Sequence, residues 1–240
     1  MTKKTKALLL SAGLGTRLRP LTLKKPKCLV EINKKPIMEY WLDSLEKIGC
    51  HTTVINTHYL HKKVSNFLKN RKTKKMKIKE IYEEKLLGTA GTLINNKELF
   101  KGCRIIMIHA DNMTNFDLSK LLRAHEKKPK NCLITMLTFQ TDSPQNCGIV
   151  QRDKDMIVQK FFEKVENPPG NIANGAIYVF ESNLIEKLSE SYSNLNDFSK
   201  DVIPLFLGKI FSYHTRDDFI DIGTYKNLAK AEMIFKQNIK

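Results

Sequence analysis

The chain is 240 residues long, 41% hydrophobic and 28% charged, with a formal net charge of +16. This is a globular composition, enough for a sizeable core in one large or two small domains. Its first apolar run, Ala7–Leu10, is too short for a bilayer span or a signal peptide, and five scattered cysteines without a C-x-x-C pair exclude a disulfide framework and a zinc site. The positive charge suits partners rich in phosphate, yet only seven of the basic residues are arginine, the better reader of bases. The expectation is a cytoplasmic protein that engages neither nucleic acid nor a membrane.

Lys6–Ser11 reads as a compact apolar strand leading into a Gly-rich turn. Met38–Ile48 places apolar residues at 38, 41, 42, 45 and 48, which is a helical face. Thr53–Asn56 then reads as a strand, Tyr59–Leu68 as a helix and Ile78–Tyr82 as a strand, with the lysine-rich run Lys69–Lys77 a solvated connection between the last two. Gly88–Ile94 follows as a short helix, Ile105–His109 as a strand and Leu118–His125 as a helix. Leu133–Phe139, Gly148–Gln151, Ile157–Phe162 and Ile172–Phe180 read as strands, and Glu181–Leu188, Phe198–Leu207 and Thr224–Phe235 as helices. No repeat or linker divides the chain. The alternation implies a single α/β domain over residues 1–240, Rossmann-like, with three layers (α/β/α) and a mixed, mostly parallel central sheet. Ligands of such sheets bind at the carboxyl ends of the strands.

The first strand runs into Leu10-Ser-Ala-Gly-Leu-Gly-Thr-Arg-Leu-Arg-Pro-Leu-Thr-Leu-Lys-Lys-Pro-Lys27. Gly13 and Gly15 let the backbone approach a ligand and turn N–H groups toward it. Arg17 adds a fork for phosphate oxygens and Lys27 a point charge. The string is neither a P-loop nor the dinucleotide fingerprint, and a bare G-x-G means no more than a tight turn. As a whole it resembles the signature of the sugar-1-phosphate nucleotidylyltransferases, G-x-G-T-R-L-x-P-L-T followed by P-K. Further stretches continue the resemblance in order: Glu83–Gly91 looks like the second nucleotide loop, His109-Ala-Asp-Asn112 the place of a metal-binding aspartate, and Phe162-Glu-Lys164 the sugar-phosphate element. Asn171–Tyr178 resembles the strand that holds sugar hydroxyls, and Phe219–Thr224 the stretch with a second metal-binding aspartate.

The resemblance implies a nucleotide-diphospho-sugar transferase fold and an enzyme that moves a nucleoside monophosphate from an NTP to a sugar 1-phosphate, with Mg²⁺ as cofactor. It further implies a catalytic set of Arg17, Lys27, Asp111 and Asp221, the two aspartates holding the metal. Leu10, Ala12, Gly13, Gly15, Thr16, Glu83 and Gly88 would contact the nucleotide, and Gly148, Glu163, Lys164 and Asn174 the sugar phosphate. Plainer readings exist: strand-end aspartates often cap helices, and Glu163-Lys164 would suit an exposed pair at a strand end. The chemistry nevertheless agrees with the resemblance. Both reactants are anions, so catalysis is largely positioning and charge neutralisation, and magnesium is commonly held by one or two carboxylates plus phosphates and water. Asp111 and Asp221 are 110 residues apart, and only the fold could bring them together.

Glu83 stands where the family places a residue facing the base edge, and a carboxylate there accepts from guanine N1–H and N2–H₂ together. Against this, Ser11-Ala12-Gly13 departs from the A-G-G or C-G-G of relatives using GTP or dTTP, and the Ala12 methyl narrows the space for a purine. GTP is favoured over UTP or CTP, and the stretch Cys147–Tyr178 looks closest to relatives that handle mannose- or heptose-1-phosphate. Only one helix follows Phe219–Thr224 and nothing repeats at six residues, so a C-terminal β-helix with a second activity or allosteric control is not expected. A homo-oligomer is a family-based expectation. Two other readings compete: transfer to an ester such as phosphocholine, and a non-catalytic regulatory or nucleic-acid-binding module. Glu163-Lys164 with Asn174-Gly-Ala opposes the first, and the joint presence of Arg17, Lys27, Asp111 and Asp221 opposes the second.

Overall fold

The computed structural model describes residues 3–71, 76–192 and 194–236, so residues 72–75 of the expected lysine-rich connection lie outside the described residues. Strands and helices alternate through the first half: β1 (Thr5–Leu10), α1 (Leu21–Lys24), β2 (Glu31–Ile32), β3 (Lys35–Pro36), α2 (Ile37–Lys47), β4 (Thr52–Thr57), α3 (His61–Asn70), β5 (Lys77–Tyr82), α4 (Gly88–Asn95), β6 (Arg104–His109), β7 (Asn112–Thr114) and α5 (Leu118–Lys127). The second half is richer in strand: β8 (Ile134–Gln140), β9 (Gly148–Arg152), β10 (Val158–Glu163), β11 (Ile172–Glu181), α6 (Asn183–Ser191), β12 (Ile210–His214), β13 (Phe219–Asp221) and α7 (Tyr225–Phe235). The residues pack as two compact units, each with its own core.

The first unit comprises Lys6–Leu86, Ile108–Asp117 and the chain from Asp217 onward. In it β1, β4 and β5 run parallel, with Leu10 opposite Asn56 and Thr57 opposite Tyr82. Leu8, Leu9 and Ile55 are fully buried, as a parallel strand covered on both faces requires. Helix α2 buries Met38, Trp41, Leu42 and Leu45, the i, i+3, i+4, i+7 stripe, and the Trp41 indole N–H donates to the Asn112 carbonyl at 2.9 Å. A short antiparallel ladder joins β7 to β13, with Asp221 opposite Asn112.

The second unit comprises the residues up to Thr5, Leu87–Met107 and Leu118–Arg216. Strand β11 is antiparallel to β8 and meets β9 at Ala173 and Ile149, β10 is antiparallel to β9, and β12 is parallel to β8. Parallel and antiparallel pairing are both present, as the mixed sheet requires. The core centres on Tyr178, Phe180 and Phe198, the Phe198 ring lying 4.7 Å from that of Tyr178 and 5.9 Å from that of Phe180.

Two expected elements are redrawn by the structure. Phe198–Leu207 is no single α-helix: a wide π turn, Phe198–Val202, passes into a 3₁₀ turn, Ile203–Phe206. Pro204 has no N–H to donate and blocks a regular helix there, while Asp197 caps the start by accepting from the Ser199 and Lys200 amides at 2.8 and 2.9 Å. The helix expected from Glu181 begins only at Asn183, because Glu181 closes β11 in ion pairs with Lys3 at 3.0 Å and Arg104 at 3.2 Å. Strand β12 was not foreseen. Its five residues carry no clean alternation, and its pairing with β8 is long-range.

Candidate active site

In the first unit, Leu10 ends β1 and its carbonyl accepts from the Ala110 amide at 3.0 Å, so the glycine loop leaves from a fixed strand end. Gly15 has φ +64°, and a Cβ there would stand 3.0 Å from Thr22 Cγ2 and 3.2 Å from Lys27 Cβ. Only glycine combines that backbone with that crowding. The buried Thr22 hydroxyl clamps the loop by donating to the Gly15 carbonyl at 2.7 Å. Beside Gly13 there is open space. A single 3₁₀ turn, Thr16–Leu18, carries Arg17 outward. Pro26 opens the next turn, Lys27–Leu29, which fixes Lys27 beside the loop.

Lys27 and the two aspartates converge. The largely buried Lys27 Nζ is 2.6 Å from Asp111 Oδ2 and 3.4 Å from Asp221 Oδ1, and Arg17 Nη2 is 3.5 Å from Asp221 Oδ2. The β7–β13 ladder makes this possible: Asp111 directly precedes β7, Asp221 ends β13, and the Ile222 amide donates to the Asp111 carbonyl at 2.8 Å. Asn227 Nδ2 holds the Asp221 carbonyl from the first turn of α7 at 2.8 Å. A cavity of about 330 Å³ is lined by Gly13, Gly15, Thr16, Arg17, Lys27 and Asp111. Gly223 also lines it; a Cβ there would lie 2.7 Å from the Arg17 guanidinium, so Arg17 rests on that glycine. Burial alone would raise the Asp111 carboxyl, but the Lys27 ammonium and His109 hold it below the ordinary carboxylate value.

Two carboxylates meeting on one cation form the hard-oxygen donor set that suits Mg²⁺, and Lys27 supplies the positive charge between them here. Among the described residues no group of three or more His, Cys, Asp or Glu side chains could hold a metal. An ion held by the two aspartates would take its remaining ligands from substrate phosphates and water. The residues present fit the metal.

Glu83 is buried just after β5 in the same unit, 5% exposed. Asn56 Nδ2 donates to Glu83 Oε1 at 3.0 Å, and the Ser11 amide donates to Asn56 Oδ1 at 2.7 Å. Ala12 is also buried, 6% exposed. Asn56 and Gly223 escaped the sequence reading. Gly223 stood in Asp221-Ile-Gly-Thr224 without a stated role, and the long-range partners of Asn56 left no local signal.

The remaining expected positions belong to the second unit. Gly88 opens α4 with φ +75°. Glu163 ends β10 opposite Gly148 of β9, and a Cβ on Gly148 would lie 2.6 Å from Glu163 Oε2. The bare glycine makes room for that carboxylate. Lys164 follows with φ +51°, its side chain mostly exposed and its Nζ 3.4 Å from Glu163 Oε1. Asn174 sits at the irregularity in β11, donating to Tyr178 Oη at 2.6 Å and accepting from the Ala176 amide at 2.9 Å. Its amide is thus held at both ends. The structure brings Gly148, Glu163 and Lys164 together as one group.

A family model described as "Nucleotidyl transferase" matches residues 6–238. The chain belongs to the nucleotidyl transferase family. This family member is 32% identical over 232 residues to a "Putative mannose-1-phosphate guanyltransferase" of Sulfolobus acidocaldarius, covering 95% of this chain and 62% of that protein. It is 27% identical over 242 residues to the mannose-1-phosphate guanylyltransferase catalytic subunit beta of Drosophila pseudoobscura pseudoobscura, covering 98% of this chain and 64% of that protein. The nucleotidyl transferase chain therefore spans somewhat less than two thirds of the length of these relatives. Among solved structures, HddC from Yersinia pseudotuberculosis complexed with GMP-PN superposes with a TM-score of 0.80 at 24% identity, over 96% of this chain and 99% of that one, and so shares the fold. Among the described residues no helix is long and apolar enough to cross a membrane.

Proposed function

We propose that this chain transfers GMP from GTP to a sugar 1-phosphate of the mannose or heptose type, releasing pyrophosphate, with Mg²⁺ as the metal. The observation that carries this is the meeting of Lys27, Asp111 and Asp221 beside the glycine loop. The names of the relatives, mannose-1-phosphate guanylyltransferases, support the choice of base and sugar. We further take residues 1–240 as one catalytic module, acting in the cytoplasm as a homo-oligomer and engaging neither nucleic acid nor membrane.

A sugar-phosphate oxygen attacks the α-phosphorus in line, forming the new P–O bond as the bond to the departing pyrophosphate breaks. Asp111 and Asp221 are the residues that would hold Mg²⁺, which when bound offsets the charge of the triphosphate. Arg17 and Lys27 bring two cations to the phosphates, where negative charge accumulates on the leaving pyrophosphate. The Gly13–Thr16 loop lines the same cavity, and its backbone amides would orient the nucleotide. Lys164 pairs with the sugar phosphate and Glu163 accepts from a sugar hydroxyl. Glu83 accepts from the guanine edge.

Pyrophosphate release measured over GTP, UTP, CTP and dTTP against mannose-, heptose- and glucose-1-phosphate tests the proposal. GTP with mannose- or heptose-1-phosphate should give the highest kcat/KM. Absence of pyrophosphate from every pair would overturn the enzymatic reading. A preference for UTP would transfer the base assignment to a pyrimidine pocket shaped by Ala12.

A further inference from the structure

The buried carboxylate of Glu83 does not stand alone; a relay of side-chain hydrogen bonds reaches it from the glycine loop. The Ser11 amide donates to Asn56 Oδ1 at 2.7 Å, the Ser11 hydroxyl donates to the Asn56 carbonyl at 2.6 Å, and Asn56 Nδ2 donates to Glu83 Oε1 at 3.0 Å. The direction of the relay is set by chemistry. A backbone N–H can only donate, so the oxygen of the Asn56 amide must face Ser11 and its nitrogen, a donor, must face the Glu83 carboxyl oxygen. Asn56, the penultimate residue of β4, is 4% exposed and lies opposite Leu10 on β1 and Ile81 on β5. The backbone of Glu83 is held as well, its amide donating to the Thr57 carbonyl at 2.8 Å and its carbonyl lying 2.8 Å from His58 Nδ1.

We infer that Asn56 is the positioning residue for base selection, presenting the Glu83 carboxylate to the nucleobase in a fixed plane. The inference rests on the proposal that Glu83 reads the base. A glutamate has three side-chain torsions, and one left unpinned loses that freedom each time a ligand binds. Pinning Oε1 from the side removes most of it beforehand. A carboxylate has about four lone-pair sites, so a bond from Asn56 is compatible with acceptance from two adjacent base N–H groups. The same relay ties base reading to the loop beside the phosphates through Ser11.

Replacing Asn56 tests this in the full chain. Asn56→Ser is too short to reach Glu83, and Asn56→Asp keeps the acceptor for Ser11 but sets a second carboxylate against Glu83. Either should raise KM for GTP about 5- to 100-fold, the range for a mismatched buried polar group, while KM for the sugar 1-phosphate and kcat/KM for UTP stay within about twofold. Adding Glu83→Gln to Asn56→Asp restores a hydrogen bond in the opposite sense, so thermal stability should recover while the GTP preference does not. An equal loss of activity with all four nucleotides, or failure of both single variants to fold, would assign Asn56 a structural role and overturn the inference. Glu83→Gln alone separates the two layers. If it leaves the GTP:UTP ratio unchanged, Glu83 does not read the base and both fall; if it shifts the ratio and Asn56→Ser does not, only the inference about Asn56 falls.

Discussion

Lys27 shows at the scale of one residue how a single largely buried charge can gather two acidic side chains from distant segments. Its side chain is only 12% exposed, held between two carboxylates whose side chains are 37% and 41% exposed, and both Lys27 and Asp111 line the cavity. Removing one aspartate leaves Lys27 its other carboxylate partner. Asp111→Asn and Asp221→Asn should each lower kcat about 100-fold or more while thermal stability stays near wild type. A variant keeping more than half the activity would remove that aspartate from the metal. Lys27→Ala and Lys164→Ala should fail differently. The first should depress kcat, because charge accumulates on the pyrophosphate in the transition state; the second should mainly raise KM for the sugar phosphate, whose charge is already present in the ground state. Steady-state kinetics with each substrate varied in turn decides this, and a rise in the same KM alone for both variants would contradict the assignment.

Paired strands do for the site what no single segment can. The β7–β13 ladder is three residues long, yet its register sets Asp221 beside the residue following Asp111 and so produces the acidic pair. The β9–β10 hairpin acts similarly by placing Gly148 opposite Glu163, two of the positions proposed for the sugar phosphate. A methyl on Gly148 would meet Phe161 Cζ at 2.5 Å as well as the Glu163 carboxylate, so Gly148→Ala overpacks that corner. It should cost about 1–3 kcal/mol of stability and turn the carboxylate aside. Expected outcomes are a lower melting temperature and a higher KM for the sugar 1-phosphate, with KM for the NTP unchanged. Equal rises in both KM values would show that the hairpin does not serve the sugar alone.

At the scale of the whole molecule, acid stability should be governed by a cluster of charged side chains outside the expected site. Burial would raise the Glu181 carboxyl, but His125, Lys3 and Arg104 bring it down from 4.5 to about 2. Its contribution is complete above pH 4.5 and is lost as pH falls toward 2. Burial also holds the imidazole of His125 below its ordinary 6.5, and its Nδ1 lies 2.8 Å from the Thr135 hydroxyl. Below pH 6.5 the unfolded chain therefore binds the proton more readily than the folded one, and stability declines from that point downward. Thermal melts across pH should show a plateau near neutrality, a first decline below 6.5 and a second below 4.5. His125→Gln should shrink the first decline, with the remainder due to His214, whose pKa is lowered by burial and by Arg152 and Arg216. Parallel curves for wild type and variant would refute the role of His125.

The amino-acid sequence by itself determined the family, the glycine loop and the identity of the charged side chains. These depend on local chemistry: glycine where φ is positive, apolar runs where a parallel strand is covered on both faces, and Pro26 ahead of Lys27. It also placed most strands and helices to within a few residues, because the 3.6 and 2 residue periods are local properties. It misjudged Phe198–Leu207, where the apolar spacing suits a helix but Pro204 and the Asp197 cap select tighter and wider turns. Only the tertiary structure decided that Asp111 and Asp221 share one cation, that Arg17 rests on Gly223, and that Asn56 connects Ser11 to Glu83. Each of these is a contact between segments distant along the chain, fixed by strand register, and register is settled by the packing of whole elements against one another rather than by any one residue.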